Sequence, residues 1–417
     1  MPRILLVSLV LAACATTGAV ESALHGDLST LRTRLAEEKR RGDLDQGRVT
    51  EIAHAVAARE IYAGSGRAAA RRIHSLRGCS KPLLGDLDER AERLDEGGAE
   101  ATLVLLASGR LRHAGLVERY AEADSGAWRA VAARAATTGE YFALRRKYFA
   151  DSDERVRRAA LEAANEAPAV LDFDGLMEAA RLDPDPMARS LAVRAVGRLG
   201  GERAARGLRD LWELAEADVR MSILDAFAAK ATFTTGGREA LLREAEAGRG
   251  VTAVAAVGEL LRVDAGYRET AVALLVRALD DGDSDEKRLA VLLAPLDHPS
   301  VVAALKKTGA ADPDVRVAAL EQLAALPAER SRARDELRKL AKNSTASESA
   351  NGALARLGDA SVAPKFRADL ASKNELRREA AGRALLALGD YSSAAKLLGD
   401  GSADVRVRTA CTILAKN

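Results

Sequence analysis

A short phrase recurs through the chain: an acidic or turn residue, an aliphatic residue and an arginine, followed by a helix rich in Ala and Leu. It reads Asp-Val-Arg at residues 218–220, 314–316 and 404–406. Its arginines recur at intervals of about 30 residues or about twice that, a period that predicts stacked copies of one supersecondary unit. These arginines are Arg157, Arg189, Arg220, Arg288, Arg316, Arg377 and Arg406.

Each copy of the phrase predicts two helices. The first follows the phrase, as in Val156–Ala164, and the second follows a turn, as in Phe173–Leu182. Apolar residues in these segments recur at the three- and four-residue spacing of an amphipathic helix. The two double-length intervals each predict one degenerate copy, at residues 251–261 and 347–357.

A helix pair of this kind buries its apolar face only against neighbouring pairs. The composition agrees, because 48% of residues are hydrophobic while only 3% are aromatic. Ala and Leu, which dominate, are strong helix formers. We therefore expect an all-α fold, an α-solenoid (superhelix) of about ten stacked two-helix repeats.

The pattern resembles HEAT repeats, in particular the short bacterial variety also found in phycobilin-lyase-like (PBS-lyase-like) proteins. The resemblance covers about residues 125–417. In HEAT families the Asp and Arg positions stack into a ladder. The resemblance thus implies a structural ladder made by the seven arginines with Asp218, Asp314 and Asp404. Tetratricopeptide repeats have a similar period, but their Trp, Gly/Tyr and Pro positions are not seen here.

An acidic residue just ahead of a helix can accept hydrogen bonds from the first backbone N–H groups as an N-cap. Five aspartates are expected in that role: Asp153, Asp185, Asp218, Asp314 and Asp404. A row of arginines could alternatively form an anion-binding strip. The structural ladder is favoured, because the arginines recur in register with the fold instead of clustering at one site.

The N-terminus has the layout of a secretory signal: Arg3, an apolar run that is too short to span a bilayer, then small residues. The ending Leu11-Ala12-Ala13-Cys14 resembles the lipobox of bacterial lipoproteins. That resemblance implies cleavage after residue 13 and lipid attachment at Cys14. An ordinary signal peptide that happens to contain a cysteine is the alternative. Ala15 after the cysteine slightly favours the outer membrane, with the protein facing the periplasm or the cell surface.

We expect four segments: a signal peptide at 1–13, the lipidated Cys14 with a flexible tether at 14–28, a helical N-terminal region at 29–124, and the HEAT-like repeats at 125–417. The region 29–124 reads as divergent repeats or as a cap. The last helix, Val405–Leu414, is expected to close the stack. Cys79 and Cys411 should then lie far apart, as two unpaired, buried small side chains.

No pattern for catalysis or cofactor binding is found. The five histidines lack the spacing of a helical zinc site, and no phosphate-binding loop or nucleophile elbow occurs. The acidic cluster Asp280, Asp281, Asp283 and Asp285 reads as a solvated loop with a helix cap, with weak calcium binding as a remote alternative. Trp128 and Trp212 are expected in the core. We therefore expect no enzyme activity, no cofactor, no metal and no small-molecule substrate.

Charge is balanced, with 63 Lys and Arg against 61 Asp and Glu, so the basic excess of a nucleic-acid-binding protein is missing. A solenoid offers an extended surface. The expected function is a membrane-anchored scaffold that binds a protein partner. A structural factor in envelope assembly is the alternative, and a phycobilin-lyase-like enzyme is disfavoured because a shared fold does not transfer chemistry.

Overall fold

The computed structural model describes residues 18–113, 115–247, 249–343 and 345–416. Every regular element in these ranges is helical, which confirms the predicted all-α class. The chain divides into two compact units. The central unit is Leu111–Asp359, and the terminal unit combines the chain up to Arg110 with the chain from Ala360 onwards. The division expected from the sequence, at 124/125, differs from this one.

The helices alternate with short turns, several of which contain a single 3-10 turn. Helices α1–α6 and α24–α27 belong to the terminal unit, and α7–α23 to the central unit. In chain order the helices are α1 (Ala19–His25), α2 (Leu28–Arg41), α3 (Gln46–Tyr62), α4 (Gly66–Ser75), α5 (Leu84–Ala91), α6 (Glu96–Ala107), α7 (Leu116–Tyr120), α8 (Gly126–Ala135), α9 (Phe142–Tyr148), α10 (Glu154–Glu166), α11 (Phe173–Leu182), α12 (Pro186–Leu199), α13 (Gly201–Trp212), α14 (Ala217–Ala228), α15 (Lys230–Thr232), α16 (Arg238–Ala247), α17 (Val251–Val263), α18 (Arg268–Asp281), α19 (Ser284–Leu293), α20 (Pro299–Leu305), α21 (Pro313–Leu323), α22 (Arg330–Asn343), α23 (Ser347–Arg356), α24 (Ala363–Asp369), α25 (Glu375–Ala387), α26 (Tyr391–Ala394) and α27 (Ala403–Leu414).

In the central unit, consecutive helices can be grouped in pairs. The first helix of each pair packs against the first helix of the next, in the order α8, α10, α12, α14, α17, α19, α21 and α23. The second helices, such as α11 and α13, pack against these first helices. We refer to each helix pair as a layer.

Small side chains set the distance between layers. Gly197 of α12 faces Ala226 of α14, and a Cβ atom added to Gly197 would lie 2.6 Å from the Ala226 Cα. Fully buried aliphatic residues such as Leu161 and Val193 fill the interior. This close approach is the packing expected from an interior of Ala, Val and Leu with few aromatics.

In the terminal unit, α3 packs against α1, α4, α5 and α27. The helix α27 therefore contacts the N-terminal region, and the expectation that it closes the stack is wrong. The tether expected over 14–28 is also wrong from residue 19 onwards. Helix α1 packs on α2 and α3, with Ala19 fully buried and Ser22 and Ala23 buried beside it.

The helix bounds agree with several of the predicted segments. The predicted segment Phe173–Leu182 is α11 residue for residue, and the predicted segment Val156–Ala164 lies within α10. Among the described residues, no helix combines the length and the apolar character needed to cross a bilayer. Cys14 and the rest of the expected signal peptide lie outside the described residues.

Candidate binding groove

The arginine of the recurring phrase joins consecutive layers. Arg157 lies four residues after Asp153, the N-cap of α10. Its Nη1 donates to the backbone oxygen of Asp151 at 3.0 Å, and its Nε and Nη2 donate to the carboxylate of Asp183 at 2.8 and 3.1 Å. Asp183 precedes α12 of the next layer by three residues. We call this contact between an arginine and a carboxylate of a neighbouring layer a rung.

Among the described residues, six arginines lie four residues after the N-cap of their helix and pair with a carboxylate; five of them make rungs, and Arg316 pairs with Glu336 of α22, the second helix of its own layer. The pairs are Arg129 with Asp151, Arg157 with Asp183, Arg189 with Glu216, Arg316 with Glu336, Arg378 with Asp400, and Arg406 with Glu60. The planar guanidinium suits this role, because it can donate to a backbone carbonyl and to a carboxylate at the same time.

The carboxylates of two rungs, Asp151 and Asp400, are held in their ionised form. Burial alone would raise the pKa of Asp151, but the hydrogen bond from Arg129 and that from the Asp153 backbone N–H outweigh burial and lower the pKa. The pKa of Asp400 is lowered in the same way, by Arg378 and the Ser402 N–H against the effect of burial. These two rungs are therefore ion pairs at neutral pH.

Three arginines expected in the ladder make no rung or only a weak contact: Arg377, Arg288 and Arg220, the last of which is described below. Arg377 pairs with Asp369 at 2.9 Å, and its neighbour Arg378 makes the rung. Arg288 lies 3.5 Å from Asp285 of its own helix and 3.9 Å from Asp312, so its contact with the next layer is weak.

The predicted acidic residues divide into two groups. Asp153 and Asp185 are N-caps as expected, since their carboxylates accept backbone N–H groups of α10 and α12. Asp218, Asp314 and Asp404 are instead the second residues of their helices, and the N-caps are Glu216, Asp312 and Ser402. The expected partnership of these three aspartates with the ladder arginines is wrong, because the rung carboxylates lie elsewhere.

The rung of Arg406 joins the two ends of the chain. Its Nε donates to Glu60 of α3 at 3.2 Å, and its Nη1 donates to the backbone oxygen of Asp400 at 2.8 Å. Nearby, Cys79 and Cys411 form a disulfide with their Cα atoms 5.3 Å apart. The expectation of two distant, unpaired cysteines is therefore wrong, because it assumed that the chain ends do not meet.

The series of rungs is interrupted between α14 and α19. Arg220 occupies the rung position of α14, but no carboxylate pairs with it among the described residues. Its guanidinium lies instead over the ring of Trp212, 5.5 Å from the centroid. Its buried Nε has no hydrogen-bond acceptor. A buried donor without an acceptor is uncommon and marks this layer as different from its neighbours.

The next layer lacks the arginine itself. Gly250, not a capping side chain, precedes α17, and Val254 stands four residues later where the rung layers have Arg. On the far side, Asp281 lies two residues before Asp283, the N-cap of α19, the same offset that Asp183 and Asp400 have from their N-caps. The carboxylate of a rung is therefore present here as Asp281, but Val254 stands in place of the arginine. We call this position between α17 and α19 the slot.

An open groove of about 450 Å³ occupies this slot. Val254, Val257 and Leu275 line it and are 4%, 3% and 0% exposed, so the floor is apolar. Its size falls within the range typical of ligand pockets, about 300–1,000 Å³.

Charged side chains line the rim. Glu246 accepts a hydrogen bond from the Tyr267 hydroxyl at 2.7 Å, and Glu286 accepts from the backbone N–H groups of Gly250 and Asp283. By contrast, Arg249, Arg277 and Asp281 are exposed and pair with nothing in the described part of the chain. The groove therefore presents one carboxylate and two guanidinium groups that are available to a ligand.

Sequence reasoning identified neither Val254 nor Asp281 as a site residue. The signal was present, because the phrase decays at 251–261, where a degenerate copy was expected. The acidic cluster was expected to be a loop with a helix cap; in the structure Asp280 and Asp281 end α18, and Asp283 is the N-cap of α19 and forms a capping box with Glu286. No group of three or more candidate metal ligands occurs among the described residues. Trp128 is buried as expected and stacks on Tyr120, whereas Trp212 is half-buried.

Comparisons with known proteins leave the family open. No protein-family model matches the chain, and no curated protein matches its sequence.

Proposed function

We propose that this protein is a membrane-tethered interaction scaffold: a HEAT-like α-solenoid whose groove at α16–α18 binds a segment of a partner protein. The groove carries the proposal. It is an apolar-floored opening with uncommitted charges, and it lies where the regular contacts between layers are interrupted. Binding surfaces of repeat proteins are built from such departures on a repeating frame.

The pairing of helices supports the repeat assignment. First helices pack on first helices throughout the central unit, and rungs recur at one position relative to the N-cap. A contact that returns at one position of several layers is typical of a repeat architecture and would be a coincidence in an irregular helical bundle. Because each layer contacts its neighbours, one altered layer can carry a site without disturbing the rest.

The disulfide supports the proposed location. Disulfides form and persist in exported proteins and are rare in the reducing cytosol. The Cys79–Cys411 bond is therefore in keeping with export through the signal peptide at 1–13 and anchoring at Cys14. Labelling cells with a radioactive or clickable fatty acid tests the anchor: Cys14→Ser should lose the label and leave the membrane fraction. Retention of both by the variant would contradict it.

Photo-crosslinking in cells tests the groove as the interaction site. A benzophenone amino acid replaces Arg277 at the rim in the full-length chain, and the control places it at Arg383, an exposed residue of α25. We expect a discrete protein adduct at position 277 that is missing at 383, with its identity read by mass spectrometry. The same adducts at both positions, or none at 277, would contradict the proposal.

A further inference from the structure

We infer that the groove binds an arginine side chain of the partner, whose guanidinium takes the position that Val254 leaves vacant. The inference rests on the proposed scaffold function and specifies the chemistry of the partner segment. It is based on two residues that line the same groove: Val254, which stands in place of the rung arginine, and Asp281, which supplies the rung carboxylate.

The intact rungs show what the slot accepts. In the layer of Arg157 the guanidinium reaches a carboxylate of the next layer, Asp183, at 2.8 Å. Arg378 repeats the arrangement with Asp400 at 2.7 Å. Both arginines are largely buried, with side chains 12% and 14% exposed. A guanidinium in such a slot is thus paired and hydrogen-bonded, which offsets the cost of removing it from water.

The groove at α17 has the matching chemistry. Its floor of Val254, Val257 and Leu275 suits the apolar stem of an arginine, which packs on apolar surface while its head stays polar. Asp281 supplies the carboxylate. Arginine fits better than lysine, because the planar guanidinium is more weakly hydrated and can bind a carboxylate through two donors.

The rim restricts the ligand further. Arg249 and Arg277 repel a purely cationic chain and favour a carboxylate next to the arginine. The ligand thus needs a guanidinium for Asp281 and a carboxylate for Arg249 and Arg277. A polyamine or a strongly basic tail lacks the carboxylate, and a nucleic acid lacks the guanidinium. Because the charged rim is exposed and the groove is open to solvent, the occupant we propose is an extended polypeptide that carries an arginine beside an acidic residue.

The test is an array of random acetylated decapeptides probed with the purified full-length chain in detergent. We expect the bound peptides to be enriched in arginine with a nearby Asp or Glu. The strongest binder is then made again with citrulline, which keeps the shape of arginine without its charge, and we expect at least tenfold weaker binding. Free N-acetyl-arginine amide, the small-molecule arm, should bind far more weakly than the peptide.

Variants connect binding to the slot. Val254→Arg fills the vacancy within the chain, and Asp281→Asn removes the carboxylate; each should weaken the selected peptide at least tenfold. Arg383→Met, exposed and distant in sequence, should leave binding unchanged, and circular dichroism verifies that each variant is folded. The inference is overturned if no peptide binds, if bound peptides lack arginine, if both variants bind as the wild type does, or if the free amide binds as tightly.

The two proposals fail differently. If a crosslinked adduct forms at position 277 but peptide binding does not depend on arginine, the scaffold function stands and the inference of a bound arginine is refuted. Arginine-dependent binding in the array with no adduct in cells would refute the scaffold function.

Discussion

Replacing Arg406 with Met should weaken the contact between the two chain ends. The side chains of Arg406 and Glu60 are 11% and 7% exposed, so the ion pair is largely buried. Arg406→Met leaves the Glu60 carboxylate without its main partner and removes the donor to the Asp400 backbone oxygen. Breaking one side of a buried pair costs about 3–5 kcal/mol, and a lost hydrogen bond costs about 1 kcal/mol.

One contact offsets part of that loss. Arg72 Nε lies 3.4 Å from the other oxygen of Glu60 and remains in the variant. We therefore expect a net destabilisation of about 3 kcal/mol, which corresponds to about a hundredfold change in an opening equilibrium. Because a buried pair replaced as a whole is often close to neutral, adding Glu60→Met should recover at least half of the loss.

Hydrogen exchange read by mass spectrometry measures this locally, in the helices that the ion pair joins. Peptides from α3 and α27 should exchange about a hundred times faster in Arg406→Met, while those from α10 and α12 stay unchanged. Arg383→Met, an exposed arginine of the same unit, is the control and should exchange like the wild type. Unchanged exchange in α3 and α27 of Arg406→Met would refute the reasoning.

Three further predictions follow from the same contacts. Reduction of Cys79–Cys411, which are 332 residues apart, should lower the free energy of unfolding in urea by about 3–5 kcal/mol, while Cys411→Ser should be insensitive to reductant; equal sensitivity would exclude the bond. The pKa values of Asp151 and Asp400 are lowered in the folded state, so their rungs contribute fully to stability above the ordinary pKa of 3.8. That contribution is lost as the pH falls through the lower folded pKa. The urea midpoint should therefore drop below about pH 4, and it should drop less in Asp400→Asn. Asp185→Ala removes an N-cap and should cost about 1 kcal/mol or more in the same assay, whereas Asp218→Ala, inside the first turn of its helix, should cost under about 0.5 kcal/mol; the reverse order would contradict the assigned caps.

The helices were readable from the sequence because apolar periodicity and capping residues are local signals. The prediction at 173–182 coincides with α11, and the prediction at 156–164 lies within α10. The tether was wrong from residue 19 because small side chains were taken as a sign of flexibility. In α1 the small residues Ala19 and Ala23 instead allow close packing against neighbouring helices.

Pairings between distant residues were not readable. The buried ion pair joins Arg145 of α9 to Asp172, which directly precedes α11, and no sequence motif links the two residues. The disulfide depends on α27 lying against the N-terminal helices, and the 31-residue period carries no information about that contact. The carboxylate partners of the ladder arginines were predicted wrongly for a related reason. The recurring phrase contains the arginine, but the carboxylate of a rung comes from a different layer.

The only sequence signal for the groove was the degenerate copy of the recurring phrase. Decay of the phrase at 251–261 indicated a degenerate copy, and the sequence offered no way to tell a harmless variation from a site. In the structure, Val254 faces a groove that also contains Asp281, and the proposed site rests on that observation.

The stability of two arginine variants of α17 tests most directly that a rung is missing there. Val254 occupies the rung position, while Val257, equally buried, corresponds to the fully buried Ala160 and Ala192 of intact layers. Urea unfolding should place Val254→Arg within about 1 kcal/mol of the wild type, since its guanidinium can reach Asp281, and Val257→Arg more than about 3 kcal/mol below it. Equal losses in both variants would contradict a vacant slot.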